Sequence, residues 1–578
     1  MENPERVTYF AATDARGQRT PFGIKQKDRS KHMYVIGKTG MGKSTLLENM
    51  AIQDIRNGEG LAFIDPHGGT ADKLLDYIPE ERIPDVVYFA PFDMNQPIAF
   101  NIMEDVGYDK RHLVVSGLMA TFKKIWQDAW SARMEYILSN TLLALLEYPD
   151  ATLLGVNRMY TDKAYRKLVV DNVKDPLVKD FWTKEFAGYT DRYTQEATPA
   201  IQNKIGQFTS NPLIRNIIGQ PKSSFDIREM MDQRKILIIN LSKGLVGDTN
   251  MQLLGSMLTT RIFLAAMSRA DAAAPEMAKL PHFYFYVDEF QNFANETFAE
   301  ILSEARKYKL NLVIAHQYVE QMEEEVRAAV FGNVGTTVAF RVGPFDAEIL
   351  ETVFMPEFTK EDLVNLGFAQ IYLTLMIDGV GSRPFSAVTI APIEPPPHTF
   401  KTEVIEASRA QFGHPRDQIE AAVTAELATT TSTETRGASA APPARNGKKA
   451  PRISPRDTEQ SPPIEGTTHR PPRPVAVPPT PQKTADELKA VLRSITTTTS
   501  ATKLRKETTQ KHALKSALSD VLQRAGGTTS SYKPPHNAPV PGPARPRESP
   551  PQQKENREAA LPFEVPEETL KNVLNGHA

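Results

Sequence analysis

Apolar runs that are too short for helices and too continuous for half-exposed strands punctuate the first part of the chain. They are Met33-Tyr34-Val35-Ile36, Leu61-Ala62-Phe63-Ile64, Val86-Val87-Tyr88-Phe89, Ile236-Leu237-Ile238-Ile239, Phe283-Tyr284-Phe285-Tyr286-Val287 and Leu312-Val313-Ile314-Ala315. β-Branched and aromatic residues without alternation predict strands covered on both faces, as in a parallel sheet. Thr336 to Arg341 and Gln370 to Ile377 predict two more. Between the strands the period becomes helical: Leu46, Leu47, Met50, Ala51 and Ile55 share a face over Ser44 to Asn57, with Gly58 as the closing cap, and a second helix covers Glu296 to Lys309. Strand and helix alternating in this way predict an α/β fold, doubly wound and RecA-like rather than a barrel.

The alternation is interrupted once. From Arg111 to Tyr148 apolar residues recur at helical spacing (Leu113, Val114, Leu118; Tyr136, Ile137, Leu143, Leu145), and polar helical segments continue through Ile217 until Lys235 to Asn240 returns to strand character. The pattern predicts an inserted all-α domain over 105–225. The motor domain is then 32–104 with 226–391, after an N-terminal extension of 1–31.

Composition changes the picture only beyond residue 391. Of the 44 prolines, 27 fall in the last 187 residues, which include only four aromatics (Phe400, Phe412, Tyr532, Phe563). Such a segment cannot offset its ordering entropy by burial, so 392–578 is expected to be a disordered Pro-rich tail. Within it, Leu488 to Leu492, Leu514 to Leu518 and Leu570 to Leu574 repeat a Leu-Lys-x-small-Leu pattern. This predicts short amphipathic helices near 484–495, 511–524 and 566–575, the first opened by the capping-box pair Thr484 and Glu487. Helices this brief fold only against a partner.

The chemistry sits at the ends of two of the strands. Gly37-Lys38-Thr39-Gly40-Met41-Gly42-Lys43-Ser44-Thr45 follows the first run and opens a helix, as a phosphate-binding loop must. Its backbone N–H groups would wrap the phosphates of ATP, Lys43 would reach the β and γ oxygens, and the Ser44 hydroxyl would ligate Mg2+. The aromatic run 283–287 ends in Asp288-Glu289. Asp288 is placed in the Mg2+ shell, and Glu289 is the residue to orient or deprotonate the attacking water. Gln317, closing the strand of 311–317, suits a sensor of the terminal phosphate because an amide gives directed hydrogen bonds. Asp65 and His67 close the strand after the phosphate-loop helix and receive no catalytic role; a loop-shaping histidine is the plainer reading. Trp126, Trp130 and Trp182 could stack on exposed bases, but core packing is the plainer reading for most of them.

There is no cysteine, so disulfides and thiolate metal sites are excluded. A net charge of −2 neither supports nor excludes a polyanionic partner. No run approaches the length needed to span a bilayer and no signal-peptide core opens the chain, which predicts a soluble cytoplasmic protein.

The phosphate loop, Phe63-Ile64-Asp65-Pro66-His67-Gly68, Arg133 to Leu138 in the insertion, Lys235 to Lys243, Val287-Asp288-Glu289-Phe290-Gln291 and Ala315-His316-Gln317 together resemble the HerA/FtsK superfamily. Within it, the chain resembles the type IV coupling proteins of conjugative DNA transfer over nearly all of residues 20 to 391. The resemblance implies an ATP-driven pump that moves DNA through a homohexamer, with nucleotide at each subunit boundary and an arginine supplied by the neighbour. Arg306 matches that arginine's position, with Arg341 the weaker candidate; a surface cation paired with Glu300 or Glu304 is the plainer alternative. Coupling proteins of conjugation usually begin with membrane-spanning helices, and the 31 residues before the phosphate-loop strand contain none. That departure leaves a protein peripheral at the inner membrane through a partner, with a relaxase or secretion-channel protein docking on the tail, or a HerA-like motor for DNA ends. A nucleotide-gated scaffold that recruits a nucleoprotein without moving it, and a motor acting on proteins, remain open on the same residues.

Overall fold

The computed structural model describes residues 3–14 and 18–428. The three tail segments expected to be helical lie outside the described residues. Thirteen strands are present among those described: β1 (Val7–Thr13), β2 (Pro21–Lys25), β3 (Met33–Ile36), β4 (Gly60–Asp65), β5 (Val86–Phe89), β6 (Ile236–Asn240), β7 (Phe283–Val287), β8 (Leu310–His316), β9 (Thr336–Ala339), β10 (Gln370–Thr374), β11 (Met376–Ile377), β12 (Val380–Gly381) and β13 (Phe385–Thr389). Eleven of them form one sheet in the order β2-β1-β13-β10-β9-β3-β8-β7-β4-β6-β5. From β9 to β5 every pairing is parallel, and from β9 outward to β2 every pairing is antiparallel.

The continuous apolar runs are explained by burial on both sides. Tyr34 and Ile36 of β3 join one hydrophobic cluster, while Met33 and Val35 join another on the opposite face. The helix Lys43–Arg56 covers the second face with Leu46, Leu47, Met50 and Ile55, each worth about 1.5–3 kcal/mol once withdrawn from water. The first face is covered by the helix Asp248–Met267, by Glu296–Glu304 and by the helices between β5 and β6.

Those intervening helices run from Arg111–Ile125 to Pro212–Ile218, with Ile227–Asp232 leading back into β6. Their buried residues, among them Leu118, Phe122, Ile137, Ile205 and Phe208, belong to the same cluster as the first face of the sheet. Trp126 stacks on Phe122 at 5.1 Å between ring centres, and Trp182 is buried with its indole N–H donating to the Asn140 carbonyl. Trp130 is half-buried and bonds Glu135.

Several boundaries differ from the sequence reading. The N-terminal extension supplies β1 and β2, an antiparallel addition to the motor sheet whose strands are too mixed in polarity and burial to stand out. Arg29 also belongs to it, buried and bidentate to Asp54 of the phosphate-loop helix at 2.6 and 2.9 Å, bonded to the Tyr286 hydroxyl and lying 3.6 Å above the Tyr284 ring. The run 370–377 divides because Asp378 and Gly379, both at positive φ, close the separate hairpin β11-β12. The segment 336–341 leaves the sheet after Ala339 to brace the phosphate loop, and the helix of 296–309 tightens to a 3-10 turn over Ala305–Tyr308. Residues 392–428, expected within the tail, include the helices Lys401–Phe412 and Arg416–Ala428. Val404, Ile419 and Val423 are buried there, enough apolar contact to dock a helix that the proline-rich surroundings disguise.

Candidate active site

The loop Gly37 to Gly42 joins β3 to its helix at the C-terminal edge of the parallel strands, where α/β sheets hold ligands. Gly42 stands at φ 115°, a conformation closed to side chains, and so turns the chain into the helix. Gly37 is required for a second reason, since a Cβ there would come within 2.5 Å of the Phe340 Cβ. Phe340 and Arg341 follow β9, and the Arg341 carbonyl accepts from the Lys38 N–H at 2.8 Å. Lys43 is buried, and its Nζ donates to the Gly37 carbonyl at 2.7 Å across the loop. Burial lowers the ammonium below its ordinary value, partly offset by the charges of Glu289 and Asp288.

Asp288 and Glu289 emerge from β7, two strands from β3, with β8 between them. The Ser44 hydroxyl donates to Asp288 Oδ2 at 2.9 Å, and Asp288 Oδ1 accepts from the Glu289 N–H at 2.9 Å. Burial, then the neighbouring Glu289 and Asp65 carboxylates, push the Asp288 carboxyl up to about 6. Glu289 is held in the left-handed region at φ 45°, a strained position for a non-glycine residue. Its carboxylate is gripped on both oxygens: Gln317 Nε2 donates to Oε1, and Gln291 Nε2 donates to Oε2 at 2.7 Å. Because β8 lies between β3 and β7, Gln317 reaches from its end to the Glu289 carboxylate.

Asp65 is occupied elsewhere. It accepts from the backbone N–H groups of His67, Thr70 and Ala71, so it caps the following helix. His67 is exposed, with its Nε2 3.9 Å from Glu289 Oε1.

The family model of the type IV secretion-system coupling protein DNA-binding domain matches residues 20–350, more than half of the chain. The chain belongs to this family. Among solved structures, this chain is similar to the plasmid coupling protein TrwB in complex with a non-hydrolysable GTP analogue. There the identity is 15%, covering 68% of this chain and 91% of that one, with a TM-score of 0.48. It is also similar to TrwB in complex with ADP and Mg2+ (14% identity, 69% and 92% covered, TM-score 0.48). VirB4 of Thermoanaerobacter pseudethanolicus gives 13% identity, 67% and 96% covered, and a TM-score of 0.45. No curated protein matches the chain.

Within this chain, the loop residues Gly37 to Thr45, Asp288, Glu289 and Gln317 lie together, and Arg306 lies apart from them. Arg306 precedes β8, at the N-terminal edge of the parallel strands, where its charge acts on the buried His32. It is exposed and has no ion pair among the described residues, since Glu304 is taken by Lys307 at 2.6 Å. Arg341 touches the phosphate loop of its own chain through its backbone. No helix among the described residues is long and apolar enough to cross a membrane.

Sequence reasoning gave no role to Gln291 or Phe340. Gln291 stands two residues after Glu289, and that spacing could have pointed to it. Nothing local marks Phe340, whose part depends on β9 lying beside β3.

Proposed function

We propose that this chain is an ATP-hydrolysing motor that moves DNA, working as a homohexamer in the manner of the coupling proteins of type IV secretion. The observation that carries the reading is the pair of contacts Ser44 to Asp288 and Gln317 to Glu289, which bring a hydroxyl, two carboxylates and an amide to one phosphate loop. Family membership points the same way, because the matching domain is a DNA-binding one.

The donor set fits Mg2+. Ser44 and Asp288 offer two hard oxygens side by side, as many as this ion takes from a protein when phosphates supply others, and Asp288 is a buried carboxylate with no ion pair among the described residues. When bound, the ion would neutralise charge on the phosphates. The loop N–H groups and Lys43 would bind the phosphates of ATP, with Lys43 exchanging its bond to the Gly37 carbonyl for the phosphate oxygens. Glu289 would take the proton of a water aligned on the terminal phosphate. Gln317 and Gln291 hold that carboxylate until a γ phosphate offers Gln317 another acceptor.

The placement of Arg306 suits service to a neighbour's nucleotide, since it stands at the wrong edge of the sheet for its own. The tail, with a relaxase or channel protein as its partner and the inner membrane as the site of action, belongs to the same proposal.

The test is hydrolysis measured with and without DNA, beside sizing of the particle with Mg2+ and ATP. Stimulation of turnover by DNA in a ring is expected. A chain that stays monomeric with nucleotide and turns over at one rate with or without DNA overturns the motor and leaves the scaffold.

A further inference from the structure

The strained backbone of Glu289 is held by the loop that follows it, and that loop is held from three sides. Phe290 packs against Phe298 at 4.5 Å and edge-on to His316 at 5.9 Å between ring centres. Phe293 is buried over Gly255 of the helix Asp248–Met267, so closely that a Cβ at Gly255 would sit 2.1 Å from the ring. The third contact comes from the inserted helices. Lys124, in the last turn of the helix Arg111–Ile125, donates from its Nζ to the Gln291 carbonyl at 2.7 Å and to the Ala294 carbonyl.

A lysine in this setting is unusual. It has no ion pair among the described residues, and withdrawal from water pushes its ammonium down to about 8, with only the charge of Glu323 acting against that. A partly buried lysine that bonds two loop carbonyls and no carboxylate serves the loop rather than the net charge. The loop it serves contains Gln291, whose amide grips Glu289 Oε2. A connected path therefore runs from the inserted helices through Lys124 and Gln291 to the carboxylate proposed as the base.

We propose that Lys124 is a positioning residue for hydrolysis. By fixing the backbone of residues 291–294, it makes the aim of the Glu289 carboxylate depend on where the inserted helices stand. A shift of the Arg111–Ile125 helix that stretches its bonds beyond about 3.5 Å would release the loop, so that contacts made by the insertion are read at the hydrolytic site. This inference rests on the hydrolytic role of Glu289 proposed above and adds to it the means by which the insertion governs that residue.

The experiment is a double-mutant cycle in the full chain, with DNA present throughout. Lys124→Met, Glu289→Gln and the double variant are measured for kcat, for affinity toward Mg2+ with a non-hydrolysable ATP analogue, and for thermal unfolding. Lys124→Met should lower kcat about 10- to 100-fold, the scale of a misplacement near 1 Å, while leaving nucleotide affinity within about twofold. The double variant should be no slower than Glu289→Gln alone, because a residue acting through the base has nothing left to act on. Lys124→Gln, which keeps one amide donor, should give an intermediate kcat, and it takes the place of Lys124→Met in the cycle should the latter not fold. Full turnover by the folded Lys124 variant beside a crippled Glu289→Gln overturns this inference alone, as do effects that multiply in the double variant. Normal turnover by Glu289→Gln overturns the base assignment and this inference with it.

Discussion

The two loops that meet in the site are held in opposite ways. The phosphate loop owes its shape mainly to its own residues: Gly40 at φ 76° and Gly42 at φ 115° set the turn, and Lys43 closes it on the Gly37 carbonyl six residues back. The loop after β7 owes its shape to the rest of the molecule. Glu289 stands in a conformation that its side chain disfavours, and Gln317, Gly255 and Lys124 hold the segment from three other elements. The half proposed to bind nucleotide is thus built locally, and the half proposed to hydrolyse it is built by tertiary contacts. Damage to the first should remove binding; damage at a distance should reach only the second.

The largest expected effects separate the halves directly. Lys43→Ala should abolish binding of a fluorescent ATP analogue and bring hydrolysis to background. Glu289→Gln should bind the analogue normally while kcat falls by about 10²–10⁴, the scale of a positioned general base. Loss of binding in the second variant would break the division of labour. A smaller effect is expected from Gly255→Ala, which touches neither nucleotide nor carboxylate. The new methyl must displace the Phe293 ring, costing about 1–3 kcal/mol of stability and lowering kcat with nucleotide affinity unchanged. Unaltered kcat and melting temperature would show that the Phe293 contact plays no part in aiming Glu289.

A stability effect of similar size has the opposite sign. The Asp288 carboxyl is raised from 3.8 to about 6 in the folded chain, so the folded state binds the proton more tightly than the unfolded one. Its contribution to stability is fully present below about 3.8 and is lost as pH rises through about 6, leaving a penalty at neutral pH in the nucleotide-free protein. Asp288→Asn should remove that penalty, stabilising the free protein at pH 7 by about 1–3 kcal/mol and much less at pH 4, while Mg2+-dependent hydrolysis is lost. Calorimetry at the two pH values checks the sign; a variant less stable than the parent at pH 7 would mean that the buried charge is already neutralised by its surroundings.

Much of this is legible in the sequence. The runs ending at Ile36, Asp65, Phe89, Asn240, Val287 and His316 read as strands because burial on both faces keeps them largely apolar, with polar residues mainly at their ends, and each appears where its pattern lies. The N-terminal strands β1 and β2 were not legible. They form the antiparallel margin of the sheet, where β2 has a single partner and partial exposure leaves little mark on sequence. The helices of 401–428 were hidden by the prolines around them, which speak for the flanks and not for the segment.

The chain by itself determined the phosphate loop, the pair Asp288-Glu289 and the interruption of the sheet by helices, because each rests on backbone geometry or burial periodicity within a few neighbouring residues. Tertiary structure alone decided that β8 lies between β3 and β7, bringing Gln317 to Glu289, that Phe340 braces Gly37, and that Lys124 holds the loop that follows Glu289. Strand order and contacts between distant segments depend on how whole faces pack, a property that no local stretch of residues encodes.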